Sequence, residues 1–349
     1  MLKSKKLLSL ILSTAMIFSV FAAGCGNSAA KKENNKKPAA EEKAKDKGEE
    51  KKEVTVGLSL STLTNAFFIG MEKGVKDKTN ELGCKLIETD ANGDIAKQLS
   101  DVEDLITKKV DILIVNALDA DAIVPAVAKA KEANIPIIFL DRGANSEDMT
   151  SFLETDNVKM GEMAANLIIE ELKKKNGSEK GKVVEIEGLQ GTSAARDRGT
   201  GFHNVIDKYS DIKIVARQAG DFNQEKSMNV MQNILQANPE IDAVFGHNDD
   251  CTLGAEKALM AANRMKPVGD KEHVFIVGID GINQAIESVK KGNIDISISQ
   301  VPVDMGVQAV EVGLKAIKGE VVEKHIYTKF YPITQKNAED SNNWGNQVK

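Results

Sequence analysis

From residue 54 onward, apolar and polar positions along the chain follow two alternating rhythms. Short runs rich in Val, Ile and Leu (54–60, 85–89, 110–116, 135–140) are separated by longer stretches whose apolar residues recur every three or four positions (68–82, 95–108, 122–133). The long stretches predict amphipathic helices. The short runs predict strands, and an unbroken run such as Ile135-Pro136-Ile137-Ile138-Phe139-Leu140 predicts one buried on both faces of a parallel sheet. After about residue 156 the rhythm restarts. Helices are predicted over 160–175, 193–209, 225–237, 253–263, 284–291 and 307–318. Strands are predicted over 182–186, 212–217, 243–246, 274–278 and 294–299, followed by an extended piece over 326–333. Strand–helix–strand repeats of these lengths imply right-handed crossovers and parallel sheets. The pattern therefore predicts an α/β protein of two similar, doubly wound parallel-sheet lobes, the arrangement of a hinged binding protein.

In open parallel sheets, ligands bind beyond the carboxyl ends of the strands. Those ends carry a recurrent chemistry here. The first strand runs into Ser61-Thr62-Leu63-Thr64-Asn65-Ala66-Phe67-Phe68, the third into Asn116, and the fourth into Asp141-Arg142. In the second half the ends carry the segment from Gly191 to Gly199 with Arg196, then Asp221-Phe222, Asn248-Asp249-Asp250, Asp280 and Gln300. A strand-end pair such as Asp141 and Arg142, taken alone, is as well explained by an inert surface ion pair. Repeated across both halves, the mixture suits a sugar. Carboxylates and amide oxygens accept hydrogen bonds from hydroxyls, while arginine and amide nitrogens donate in planar geometry. Phe67, Phe68 and Phe222 are candidate flat walls for the C–H faces of a ring, though phenylalanines in general are more often core.

Composition narrows the options. A length of 349 residues accommodates two domains, and a net charge of -6 argues against a nucleic-acid-binding surface. Three widely spaced cysteines and four scattered histidines form neither a disulfide framework nor a metal cluster, so no metal and no cofactor are expected. At the start, Lys3, Lys5 and Lys6 precede an apolar run over 7–23 and the small residues Ala22-Ala23-Gly24 before Cys25. This describes an export signal over 1–24, too short and too abruptly followed by charge for a membrane span. Cys25 after Ala-Ala-Gly resembles the bacterial lipobox, which implies lipidation of that cysteine and anchoring on the outer face of the cytoplasmic membrane. Residues 25–52 are mostly Lys, Glu, Asn and Ala, the composition of a disordered charged tether.

The segments S-T-L-T-N-A-F-F (61–68), L-D-R (140–142), G-T-S-A-A-R-D-R-G (191–199), N-V-M-Q-N-I-L (229–235), A-V-F-G-H-N-D (243–249) and S-Q-V-P (299–302) occur in order. Together they resemble the ribose-binding branch of the periplasmic sugar-binding proteins that serve ABC transporters, over about 54–333. The resemblance implies a non-enzymatic, monomeric carrier that hands a monosaccharide to membrane permease subunits. It implies that Ser61, Asn65, Phe67, Phe68, Asn116, Asp141 and Arg142 face the sugar from one lobe. Arg196, Phe222, Asn248 and Asp280 face it from the other, with Gln300 at the hinge, and Phe68 and Phe222 sandwich the ring. It also implies three hinge crossings, near Thr155-Asp156, Gln300-Val301 and Phe330. The lobes then comprise 53–155 with 301–330, and 156–300 with 331–337, leaving 338–349 as a polar, frayed tail. The chain departs from the ribose pattern at Ala66, at His247 and at Ile279, which stands where an aromatic is usual. Ile279 is therefore expected to set which pentose or hexose is held.

Three other functions share some of these features. A glycosidase would use paired carboxylates such as Asp141 and Asp280; placed among positive donors, both are expected to stay ionised, which leaves no acid. A repressor of similar fold would begin with a DNA-binding helix-turn-helix rather than an export signal. A sugar-presenting sensor for a chemoreceptor or histidine kinase would use the same site.

Overall fold

The computed structural model describes residues 53–348. The expected signal segment, Cys25 and the tether lie outside the described residues.

The first lobe contains β1 (Thr55–Leu60), α1 (Ala66–Leu82), β2 (Lys85–Asp90), α2 (Ile95–Thr107), β3 (Ile112–Val115), α3 (Val124–Glu132), β4 (Ile137–Leu140) and β5 (Ser151–Thr155). The second contains α4 (Asn157–Asn176), β6 (Gly181–Glu187), α5 (Ser193–Ile206), β7 (Ile212–Ala219), α6 (Gln224–Ala237), β8 (Ala243–Gly246), α7 (Asp249–Ala261), β9 (Phe275–Asp280), α8 (Asn283–Lys291) and β10 (Ile296–Ser299). Then come α9 (Pro302–Ile317), β11 (His325–Thr328), β12 (Tyr331–Ile333) and α10 (Trp344–Gln347). The strands form two six-stranded sheets of matching order, β11-β5-β4-β3-β1-β2 and β12-β10-β9-β8-β6-β7. All neighbours are parallel except β10 and β12.

Between β5 and α4 the chain leaves the first lobe. It returns between β10 and α9, where α9 packs beside α1, and leaves again between β11 and β12. Two of these passages run side by side, with the hydroxyls of Thr155 and Thr328 3.0 Å apart.

Local sequence explains the elements that matter for the cleft. The central strands β3 and β4, Ile112–Val115 and Ile137–Leu140, are wholly apolar and fully buried. Helix α1 starts at Asn65, whose side chain accepts from the Phe67 amide at 2.7 Å. Helix α7 starts at Asn248 in the same way, its Oδ1 accepting from the Cys251 amide at 3.0 Å. Helices α4 and α5 approach through glycines, and a side chain at Gly201 would begin 1.9 Å from the Val158 carbonyl. That approach sets the depth of α5 against its sheet.

Two departures from the sequence reading concern packing. Strand β5, S-F-L-E-T, has no apolar run to announce it. Its buried Glu154, which burial pushes up to about 8, is satisfied by Asn157 Nδ2 at 2.9 Å and by the His325 ring at 2.8 Å, which allows a carboxyl group inside a sheet. The segment after Lys336 is not frayed within the described residues. Ala338 and Trp344 are buried, and Asn343 and Asn346 fold the segment on itself by donating to the carbonyls of Asn337 and Ala338.

Candidate ligand-binding site

At the carboxyl ends of both sheets the lobes close over a small, narrow cavity lined by polar and aromatic side chains. Asn65, Phe67, Phe68, Asp141 and Arg142 line it from the first lobe, and Ala194, Arg198, Phe222, Asn248 and Asp280 from the second.

On the first lobe, Asp141 follows β4 in a left-handed conformation (φ 66°), which turns the chain so that Arg142 also faces inward. Behind them, Ser61 Oγ donates to Asn116 Oδ1 at 2.6 Å, and Asn116 Nδ2 donates to the Leu140 carbonyl at 2.9 Å and to Asp141 Oδ2 at 3.3 Å. Ser61 and Asn116 thus hold the carboxylate rather than line the cavity. The Arg142 guanidinium lies over the rings of Phe68 (4.9 Å) and Phe222 (5.1 Å), one from each lobe. Burial raises the Asp141 carboxyl above its usual range and lowers the Arg142 guanidinium to about 10.

On the second lobe, Arg198 Nε donates to Asn157 Oδ1 at 2.9 Å and Nη1 to the His247 carbonyl at 2.7 Å, which leaves its fork beside Asp280 Oδ1 at 3.7 Å. Asp280 ends β9 at φ 138° and accepts from Gln300 Nε2 at 2.8 Å and from Asn248 Nδ2 at 3.3 Å. The turn after it is fixed by Asp249, which accepts from the Gly281 and Ile282 amides and from Ser297 Oγ at 2.8–2.9 Å. Burial pushes the Asp280 carboxyl up to about 7, and the nearby Asp141 charge adds to this against the opposing pull of Arg198. The expectation that positive neighbours keep the carboxyl fully ionised is therefore corrected for Asp280, and at Asp141 burial acts in the same direction against Arg142 and Arg198.

Arg196 is also corrected. Its side chain is 54% exposed and bonded to Asp197 at 2.8 Å, in a separate surface groove with His203 and Arg217. Arg198 takes the cavity position, because the buried face of α5 runs through Ala194, Ala195, Arg198 and Phe202. That spacing of three to four residues is present in the sequence and selects Arg198 over Arg196. Ile279 does not line the cavity either. Strand alternation places it with Phe275 and Val277 in the core under α4 and α5. Gln300 stands behind Asp280 rather than in the cavity lining.

The two lobes touch across the cleft. Asn65 Nδ2 donates to Asp250 Oδ2 at 2.7 Å, the Ala120 amide to the Gly191 carbonyl at 3.1 Å, and the Gly143 amide to Ser193 Oγ at 3.2 Å. The arrangement is closed. Within it, Asp141 Oδ1 and Arg142 Nε are buried and have no hydrogen-bond partner in the protein. Buried polar atoms are normally paired, so these two mark where a hydrogen-bonding ligand belongs. Among the described residues no group of three or more His, Cys, Asp or Glu side chains could hold a metal.

A two-lobed α/β protein with a closed polar cavity between its strand ends defines a class of small-molecule carriers. The chain belongs to one family of that class: the family described as "Periplasmic binding protein domain" matches residues 56–320. Within it, the chain is similar to the ribose import binding protein RbsB of Bacillus subtilis (strain 168), 40% identical over 286 residues that cover 82% of this chain and 89% of that one. RbsB of Escherichia coli (strain K12) is 38% identical over 282 residues, 81% of this chain and 89% of that protein. Among solved structures, a periplasmic solute-binding protein of an ABC transporter from Actinobacillus succinogenes 130z with bound D-allose is similar, at a TM-score of 0.75 and 31% identity. The match covers 82% of this chain and 100% of that one.

Proposed function

We propose that the protein is the extracytoplasmic substrate-binding component of a sugar importer of the ABC type, and that it holds one monosaccharide, D-ribose first among candidates, between its lobes. The observation that carries this reading is the divided cavity. Each lobe supplies one arginine and one aspartate, Arg142 and Asp141 facing Arg198 and Asp280, so that neither lobe alone has the site. Two acceptors and two planar donors around aromatic walls match the hydroxyls and C–H faces of a sugar ring. The names of the relatives supply ribose. The three interlobe passages serve as the hinge, and a sugar favours the closed form by its greater affinity for that form. Membrane permease subunits would then receive the closed protein, which acts as a monomer.

A second reading, another pentose or a hexose, has support in the D-allose found in the similar Actinobacillus protein. A panel of pentoses and hexoses in thermal unfolding separates the two, because a ligand at 100 times its Kd adds about 2.7 kcal/mol of stability. D-ribose is expected to give the largest rise in Tm, and a response only to D-allose or another hexose would correct the ligand. A glycosidase is disfavoured by membership of a family of binding proteins, not by the state of the carboxyls.

Cys25, outside the described residues, is proposed as the lipidated anchor that holds the domain at the membrane's outer face. Cys25→Ser is expected to move the protein from the membrane to the soluble fraction; unchanged membrane association would refute lipidation.

A further inference from the structure

The carboxyl-terminal segment reaches both sides of the binding site. It continues from β12 in the second lobe and is tied there by Gln335 Nε2 to the Lys290 carbonyl at 3.4 Å and by the Lys290–Glu339 pair at 3.4 Å. It ends in α10, whose first residue is the single tryptophan of the chain. Trp344 is 4% exposed. Its indole Nε1 donates to the Asp280 carbonyl at 2.9 Å, while Gly345 packs so closely on the Gly281 carbonyl that a Cβ there would lie 2.3 Å from it. On its other side the indole meets the first lobe. Its ring is edge-on to Phe67 at 6.0 Å, and its Cζ3 lies 3.2 Å from where a Cβ on Gly70 would stand. Phe67 in turn is edge-on to Phe68 at 5.8 Å.

The indole therefore touches a cavity wall of one lobe and the backbone of the cavity carboxylate of the other. Only one of these contacts crosses between lobes: the bond to the Asp280 carbonyl stays within the second lobe, whereas Phe67 and Gly70 belong to α1 of the first. Opening the cleft would separate Trp344 from Phe67 and Gly70 and return two aromatic faces to water, which is unfavourable. The bond to the Asp280 carbonyl also restrains a residue whose φ of 138° is outside the range most side chains adopt.

We propose that Trp344 is a positioning residue of the ligand clamp: carried on a carboxyl-terminal clasp, it couples the Phe67 wall to Asp280, favours closure, and reports closure through its own environment. The inference rests on the sugar-binding reading above. An interlobe contact that is stronger in the closed state raises the population of that state and so slows release.

The test uses stopped-flow fluorescence and calorimetry on the full-length chain with D-ribose and D-allose as probes. In the wild type, indole emission is expected to shift on saturation, with the same midpoint as the binding heat. Trp344→Ala is expected to raise the sugar dissociation rate on the order of tenfold with little change in association. Trp344→Phe, which keeps an aromatic face but loses the N–H donor, should fall between the two. A packing role alone would lower Tm without this split between rates. Binding heat accompanied by unmoved emission and an unmoved dissociation rate would overturn the clasp alone. Should Trp344→Ala not fold, the wild-type emission and the Trp344→Phe rates decide. Heat from neither sugar would overturn the sugar reading, and the clasp with it.

Discussion

Arg196 and Arg198 stand two residues apart on one helix and have opposite environments. Arg196 is bonded to Asp197 at the surface, whereas Arg198 is buried and triply engaged by Asn157, the His247 carbonyl and the edge of Asp280. Removing a buried, hydrogen-bonded charge costs about 2–5 kcal/mol of binding, much of it from partners left unpaired. A surface pair contributes about 0–1 kcal/mol. Calorimetric titration is therefore expected to give Arg198→Ala a loss of roughly 2–5 kcal/mol in sugar affinity and Arg196→Ala almost none; equal losses would remove the distinction. Most of the site was legible at this scale, because strand ends rich in Asp, Asn, Arg and Phe stand out against apolar runs. Ser61, Asn116 and Gln300 were legible as polar residues near the site, but their placement behind the carboxylates depends on three-dimensional order that spacing does not carry. Ile279 failed for a different reason: next to Asp280 in sequence, it points the opposite way because strand side chains alternate.

At the scale of elements, strands and helices with strong periodicity were readable and those stabilised by polar partners were not. Strand β5 is the example, since its buried Glu154 is satisfied by Asn157 just past the strand and by His325, which comes from a distant part of the chain. The same principle gives the second lobe a pH dependence. Glu185 in β6 bonds the rings of His203 and His247, each at 2.9 Å, with Arg217 at 3.4 Å. Burial alone would raise Glu185, but those bonds more than offset it and hold the carboxyl at about 2. The bond to Glu185 raises His203 to about 9 against partial burial. The stabilisation from Glu185 is present above its ordinary value of 4.5 and lost as pH falls through about 2. That from His203 is complete below 6.5 and lost as pH rises through about 9. The pair therefore contributes most between pH 4.5 and 6.5. Denaturant midpoints across pH are expected to fall between pH 6.5 and 9 in the wild type and to fall less steeply in His203→Gln. Identical slopes would show that the pair is not coupled to folding.

For the whole molecule, two sheets of matching strand order with three passages between them bring an acid and a base from each lobe to one cavity. The two-lobed plan was legible because the strand–helix rhythm restarts midway, and the passages coincide with polar breaks after β5 and β10. The carboxyl-terminal segment was not legible. Its composition is polar, and only the docking of Trp344 against Phe67 and Asp280 gives it a fixed place. Closure across the cleft is the property on which binding, hinge and clasp all depend. Small-angle X-ray scattering with and without saturating D-ribose measures it directly. The radius of gyration is predicted to decrease when the sugar binds, as interlobe bonds such as Asn65 to Asp250 form. An unchanged radius of gyration at a sugar concentration that calorimetry shows to be saturating would contradict the account.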